Sequence, residues 1–376
     1  MRPRLLITAG VLGLPCVVTA QAQTPAPAVA AAPSRYSAAI AEARRFITDT
    51  MKALGAPGAS ITVISKGHVV WSEGFGYADL EQQVPVTPLT RFRVGSVSKS
   101  LTSVAVGRLV EGGKLDLDQP IQKYLADYPV KPWPVTSRQL GGHLAGVRHY
   151  NGYQENLNTV NYRDVTSSLA IFKNDSLLFE PGARFSYSSY GWNLLSAVLE
   201  SASSTRFLEL MQQTVFDAAD MRHTVADHVD SIIPGRARWY TRSGRGGGIV
   251  NAGFADNSYK WAGGGFLSTT EDLAHFGDDL LHDRLLKPET VRLLWTSQTT
   301  RDGKATGYGI GWFTETDKAG RRRISHSGGS VGGTAFLVIY PDQDLVVAVL
   351  VNSDSTFAGA TPTIAEMFLK AQGWGT

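Results

Sequence analysis

Ser96 and Lys99 stand three residues apart in Ser96-Val97-Ser98-Lys99, the single S-x-x-K of the chain. On a helix that spacing puts both side chains on one face. The flanks predict a helix over residues 97–111. Leu101, Val104, Ala105, Val106, Leu109 and Val110 supply apolar positions, and Gly112-Gly113 stops it. Apolar residues fall on several faces, so the helix is expected to be buried. Ser96 then lies at its N-terminus, where partial positive charge favours a developing alkoxide. A lysine desolvated beside it loses its proton and acts as a base, or stays charged and holds a neighbouring base deprotonated. That is the chemistry of an activated serine nucleophile. A capping serine and a surface lysine explain this segment alone equally well.

Two further triplets carry reactive types. Tyr187-Ser188-Ser189 stands just before a helix expected from Trp192, and His326-Ser327-Gly328 ends an expected strand. A G-x-S-x-G pattern occurs at Gly328-Gly329-Ser330-Val331-Gly332. A nucleophile elbow needs a helix after its serine and a later histidine. Here a strand follows and the last histidine is His326, so Ser330 reads as a decoy. The eight histidines show no metal-ligand spacing. His275 and His282, among Asp272, Asp278, Asp279 and Asp283, read as a solvated helix face. No Walker loop or dinucleotide-binding turn occurs. His143, Arg148 and His149 are expected to brace the helical region rather than touch substrate. Arg321-Arg322-Arg323 is expected in a solvated turn, with an acidic-substrate site as the lesser reading. Trp239, Trp261 and Trp312 fit a cleft wall or the core equally.

These residues need elements to hold them. Residues 36–54 carry apolar positions at helical spacing, closed by Gly55. Residues 59–65 and 68–74 read as a hairpin around Lys66-Gly67. Residues 307–313, 323–327, 334–340 and 345–352 read as strands, and 363–371 as a closing helix. Between them the signals are mostly helical, at 97–111, 193–201, 206–216 and 270–281. The expected fold is α/β of the α+β type: an antiparallel sheet flanked by N- and C-terminal helices, with an inserted mostly helical domain. The sheet part is expected over 36–95 and 300–376, and the helical part over 96–299.

Length and composition agree. The chain has 376 residues, 43% hydrophobic and 18% charged. That composition excludes wholesale disorder, and the length supports a sizeable core. Lys and Arg number 36 against 33 Asp and Glu. With Arg2 and Arg4 in a segment expected to be removed, the balance is nearly neutral and gives no sign of a nucleic-acid or anionic-membrane binder. Residues 1–22 are expected to be a secretory signal: Arg2 and Arg4, a short apolar run, then Ala20-Gln21-Ala22 as cleavage site. The lone Cys16 lies inside it after Pro15, which disfavours lipidation, so the mature chain would have no thiol. Residues 23–35, rich in Pro and Ala, read as a tether. The expected location is periplasmic or secreted, without stable membrane insertion.

S-x-x-K, then Tyr187-Ser188-Ser189, then His326-Ser327-Gly328, in this order, resembles the serine β-lactamase and penicillin-binding protein superfamily, in its class C-like branch. A closer likeness is to mitochondrial serine β-lactamase-like proteins and their bacterial relatives. It rests on the string from His143 to Tyr150, on Phe172-Lys173-Asn174-Asp175 and on Arg236-Ala237-Arg238, and the overall likeness spans about residues 36–374. The resemblance implies Ser96 as nucleophile, Lys99 as base or electrostatic partner, and Tyr187, partly phenolate, as proton shuttle. It implies an oxyanion hole from the backbone N–H groups of Ser96 and Gly329. Gly328 would let the strand approach substrate, and Ser189 would contact it. His326 would bind a substrate carboxylate or assist the tyrosine. No metal or organic cofactor is implied. Ser189 stands where β-lactamases carry Asn, and His326 where they carry Lys, which weakens a β-lactamase reading and suits a peptidase or esterase. Because the relatives it resembles look like peptidases, peptide or amide hydrolysis ranks first, esterase second and β-lactamase action third. The partner is then a small-molecule or peptide substrate, and self-association is compatible. A non-catalytic penicillin sensor or assembly scaffold is the competing class.

Overall fold

The computed structural model describes residues 34–244, 247–354, 357 and 360–375. The expected signal segment and most of the expected tether lie outside the described residues.

Seven strands build the main sheet. They are β1 Gly58–Ser65, β2 His68–Asp79, β3 Val84–Pro85, β4 Phe313–Thr316, β5 Arg322–Ser330, β6 Gly333–Tyr340 and β7 Leu345–Val351. Across the sheet they run β3-β2-β1-β7-β6-β5-β4, every neighbouring pair antiparallel. Lys66 and Gly67 turn β1 into β2 with φ of 52° and 73°, the left-handed pair that a two-residue hairpin requires. β1 and β7 pair at the centre, Ala59 opposite Val351. Both edges are short strands, β3 and β4, which limits the open ladder available for aggregation.

Alternation along the strands sorts side chains between two faces. Ala59, Ile61, Val63, Val347 and Val349 pack under helix α1, Ser37–Leu54, and helix α5, Ala360–Ala371. Helix α1 supplies Ala39, Ile40, Ala43 and Ile47 to that layer, and Phe368 of α5 stacks on Trp71 at 5.9 Å. Each such Ile or Val contributes about 1.5–3 kcal/mol when fully buried. The opposite face carries Ala348, Leu350, Leu337 and Ile339 against helix α4, Thr270–Leu281. There Thr270 Oγ1 meets the hydroxyls of Ser60 and Thr62, each at 2.9 Å, so the polar atoms on that face are partnered. Helix α2, Val97–Glu111, lies deeper and is buried along almost its whole length. Its hydroxyls are met by carbonyls, as in Ser100 to Gly311 at 2.7 Å. Helix α3, Ser189–Ser203, packs beside it.

Two sequence expectations change. Residues 307–312 are a loop, and only Phe313 of the expected strand is extended, as the first residue of β4. Gly307 and Gly311 take φ of 72° and 82°, and a Cβ on Gly309 would lie 2.0 Å from the Leu294 carbonyl. Tyr308, Ile310 and Trp312 alternate into the core, which mimics a strand, but the glycines between them break the ladder. The helical middle also carries strands: Phe266–Ser268 and Val225–Ala226 form a small sheet with Phe92–Arg93, and Tyr240–Arg242 pairs with Ile249–Asn251.

Candidate active site

The chain enters α2 through a glycine turn. Gly95 takes φ 47°, and a Cβ there would lie 2.6 Å from the Gly329 carbonyl oxygen. From the other side, a Cβ on Gly328 would lie 2.0 Å from the Val94 carbonyl and 3.1 Å from the Ser96 nitrogen. The end of β5 therefore rests main chain against main chain on the turn that presents Ser96. Gly328 was expected to admit substrate; its contact is with that turn instead. Gly329 beside it lines the cleft, with open space where a side chain would stand.

Lys99 reaches back one helical turn. Its Nζ lies 3.0 Å from Ser96 Oγ, 3.1 Å from Ser189 Oγ and 2.6 Å from the Gly263 carbonyl. The side chain is completely buried. Burial pushes its pKa well below the usual ammonium value, and the charge of Lys260 pushes the same way. Among the described residues no carboxylate forms an ion pair with it. Tyr187 places its ring 4.9 Å from Nζ and lines the cleft together with Ser96. Burial raises the Tyr187 phenol, and the Ser96 contact only partly opposes that. The phenolate expected from a charged neighbour is therefore disfavoured: the site is too dry, and Lys99 itself sheds charge.

The Tyr187 side of the cleft hangs on side chains. His143 Nδ1 accepts the Ser188 amide at 3.0 Å, and His149 Nδ1 accepts the Ser189 amide at 3.1 Å. Ser188 Oγ donates to the Arg148 carbonyl and accepts from the Gly191 amide, capping α3. The His143 ring packs 4.2 Å from the Tyr187 ring. Both histidines must be neutral to accept these bonds. Burial agrees, pushing His149 down to about 4 and His143 well below its ordinary value. Arg148 bridges Glu155 at 2.8 Å and Asp175 at 2.5 Å. The expected bracing is thus specific: it orients the Tyr187–Ser189 segment.

A cleft of about 600 Å³ joins the two sides, lined by Ser96, Tyr187, Ser189, Gly329, His149 and Lys260 among others. Of the seven expected residues, Ser96, Tyr187, Ser189 and Gly329 face this cleft, and Lys99 lies behind Ser96. His326 does not line it. Its Nδ1–H meets the Ser327 carbonyl at 2.6 Å, and its Nε2 accepts from the Tyr308 hydroxyl at 2.8 Å. Burial holds it near pKa 3, uncharged and with both nitrogens engaged. Ser330 lines the cleft, yet its buried hydroxyl has no hydrogen-bonding base. Trp261 and Trp312 belong to the core, and Trp239 lies under Arg93 at 4.5 Å. Arg321 pairs with Asp317 and Glu366. Asp278, His282 and Asp344 gather metal-type donors, but the Arg284 guanidinium already holds Asp278.

Sequence reading missed Lys260, Tyr150 and Gly263. Trp261–Gly264 is a short helical turn, and its Gly263 carbonyl accepts from Lys99. A carbonyl role leaves no residue-type signal.

The description "Beta-lactamase" matches residues 43–371. The mitochondrial serine beta-lactamase-like protein LACTB of Homo sapiens is 34% identical over 414 aligned positions, covering 85% of this chain and 75% of that protein. The octameric penicillin-binding protein homologue of Pyrococcus abyssi superposes with TM-score 0.76 at 28% identity, over 88% of this chain and 76% of its own. A penicillin-binding protein of Bacillus halodurans gives TM-score 0.72 at 25% identity, over 85% and 98%.

Proposed function

Since this chain belongs to the beta-lactamase family and is a serine hydrolase, we propose that it cleaves peptide or amide bonds through an acyl-enzyme on Ser96. One observation carries the reading: Lys99 Nζ sits 3.0 Å from Ser96 Oγ, wholly desolvated. A neutral amine has two N–H groups and one lone pair. The N–H groups suit the Gly263 carbonyl and Ser189 Oγ, and the lone pair suits the Ser96 proton.

In this mechanism Lys99 takes the Ser96 proton as Oγ attacks the carbonyl carbon. The backbone N–H groups of Ser96 and Gly329 hold the developing oxyanion. Tyr187, kept as a phenol by burial, protonates the departing nitrogen and recovers its proton from Lys99. Water then releases the acyl group by the reverse proton path. An amine leaving group needs that acid far more than an alkoxide does, which favours amide over ester substrates. Ser189 holds Lys99 and contacts substrate from the cleft wall. Export to the periplasm or beyond rests on residues 1–22 and is checked by N-terminal sequencing of the protein from its host. Self-association is supported by the octameric relative and is checked by light scattering.

The test is labelling with a fluorophosphonate, followed by peptide mapping. One adduct on Ser96, lost in Lys99→Ala, is expected. No adduct at neutral pH favours the sensor or scaffold reading; an adduct on Ser330 makes that serine the nucleophile.

A further inference from the structure

With His326 buried behind the site, the role of anion receptor is open, and a second lysine stands in the cleft wall. We propose that Lys260 is the subsite for a free carboxylate on the substrate, which makes the enzyme selective for acidic acyl donors or acceptors over their neutral isosteres. The proposal rests on the serine-hydrolase reading and adds the substrate's charge to it.

Lys260 lines the same cleft as Ser96, Ser189 and Gly329, yet is only 2% exposed. Its Nζ donates to Asn156 Oδ1 at 3.0 Å, a neutral amide. The Tyr150 and Tyr259 rings flank it at 5.7 and 5.2 Å. An ammonium has three donors, and that amide meets one of them. The nearby acids are committed elsewhere. Asp227 holds Arg93 at 2.7 Å and Asn257 at 2.8 Å. Glu155 holds Arg148 and the Tyr190 hydroxyl, each at 2.8 Å. Asp354, also on the cleft, accepts from Thr241 at 2.5 Å. A buried cation with spare donors and no ion-pair partner is costly to keep unless a ligand supplies the opposite charge. Ser330 Oγ, buried on the same cleft without a partner, offers a second donor.

The charged groups that act on Lys260 are Arg93 and Asp227, and its own charge acts on Lys99 and His149. Burial brings its pKa down to about 7, with Arg93 pushing the same way and Asp227 opposing. A bound carboxylate favours the protonated amine, so binding takes up a proton above neutrality.

The experiment uses the purified full chain and N-acetyl peptides of one backbone. One has a free C-terminal carboxylate, one a C-terminal amide, and one an amidated terminus with an aspartyl side chain in place of asparaginyl. At pH 6 we expect kcat/KM for one acidic peptide to exceed its neutral isostere by about 10- to 100-fold, the worth of a hydrogen bond to a charged group. The acidic peptide that wins identifies the source of the carboxylate. Lys260→Met should bring the ratio to about one, and Lys260→Arg should keep most of it. In the wild type the ratio should fall above pH 7, through KM. Equal rates on acidic and neutral peptides, or an unchanged ratio in Lys260→Met, overturns the assignment. Fluorophosphonate labelling of each preparation separates the failures: unlabelled wild type sinks the hydrolase reading, whereas labelled protein with a flat ratio sinks only the carboxylate subsite.

Discussion

The two sides of the cleft are built by different means. On the Ser96 side, main chain lies on main chain: Gly95 and Gly328 remove every side chain between β5 and the turn before α2. On the Tyr187 side, imidazoles hold amides: His143 and His149 accept the N–H groups of Ser188 and Ser189. The first construction depends on space and is indifferent to pH. The second depends on two rings staying neutral. Both deliver a polar group to a dry site, but only the second should respond to acid.

Four measurements break or sharpen that contrast. Replacing Ser96 by Ala should lower turnover by about 10⁴-fold or more while the melting temperature stays nearly constant; Lys99→Met should behave alike. Surviving activity in purified Ser96→Ala would mean that the first side holds no nucleophile. Tyr187→Phe removes the acid and keeps the ring, so amide hydrolysis should fall by about 10²- to 10⁴-fold. Ester hydrolysis should fall less, and an equal loss on both would remove the leaving-group role. Gly328→Ala forces a methyl into the Val94 carbonyl, which should cost about 1–3 kcal/mol and visibly lower the melting temperature. If it leaves both activity and melting unchanged, the close main-chain contact is not what holds Gly329 beside Ser96.

The smallest effect concerns the imidazoles. Their folded pKa values lie below that of a free histidine, about 4 for His149 and well below the ordinary value for the buried His143. The unfolded chain therefore binds protons first as pH drops. Their contribution is full above pH 6.5 and is lost as pH falls toward those values. The expected slope is about 1.4 kcal/mol per pH unit for each fully buried histidine and less for the more open His149. Melting curves at pH 7, 6 and 5 check it. In His149→Asn an amide oxygen can replace the ring acceptor, so its activity should exceed that of His149→Ala. Equal losses would show that the ring does more than accept one bond.

Much of this was legible in sequence, for definite reasons. Helices 97–111 and 270–281 have the expected bounds because apolar spacing and glycine or capping residues mark their ends. The Lys66-Gly67 hairpin follows from turn chemistry. Ser96 and Lys99 were readable because a fixed spacing on one helix fixes their geometry. What depends on distant packing was not readable. Tyr308, Ile310 and Trp312 show strand alternation, and only the neighbouring Leu294 carbonyl reveals why Gly309 bends there. His326 sits on the expected strand, but its side chain is captured by Tyr308, eighteen residues away. Lys260 lies in a segment with no motif, and its burial arises from the Tyr150 and Tyr259 rings.

The central pairing of β1 with β7 also sets the order in which the molecule can assemble. Ala59 must wait for Val351, nearly three hundred residues later in the chain. Until those residues emerge from the ribosome, the β1–β2 hairpin keeps an apolar, unpaired edge. Such long-range closure is slow, and the waiting edge is prone to mispairing. A chain truncated within β7 should therefore aggregate rather than fold to a smaller enzyme. The same delay leaves the chain open along its central seam until its last strand has been made.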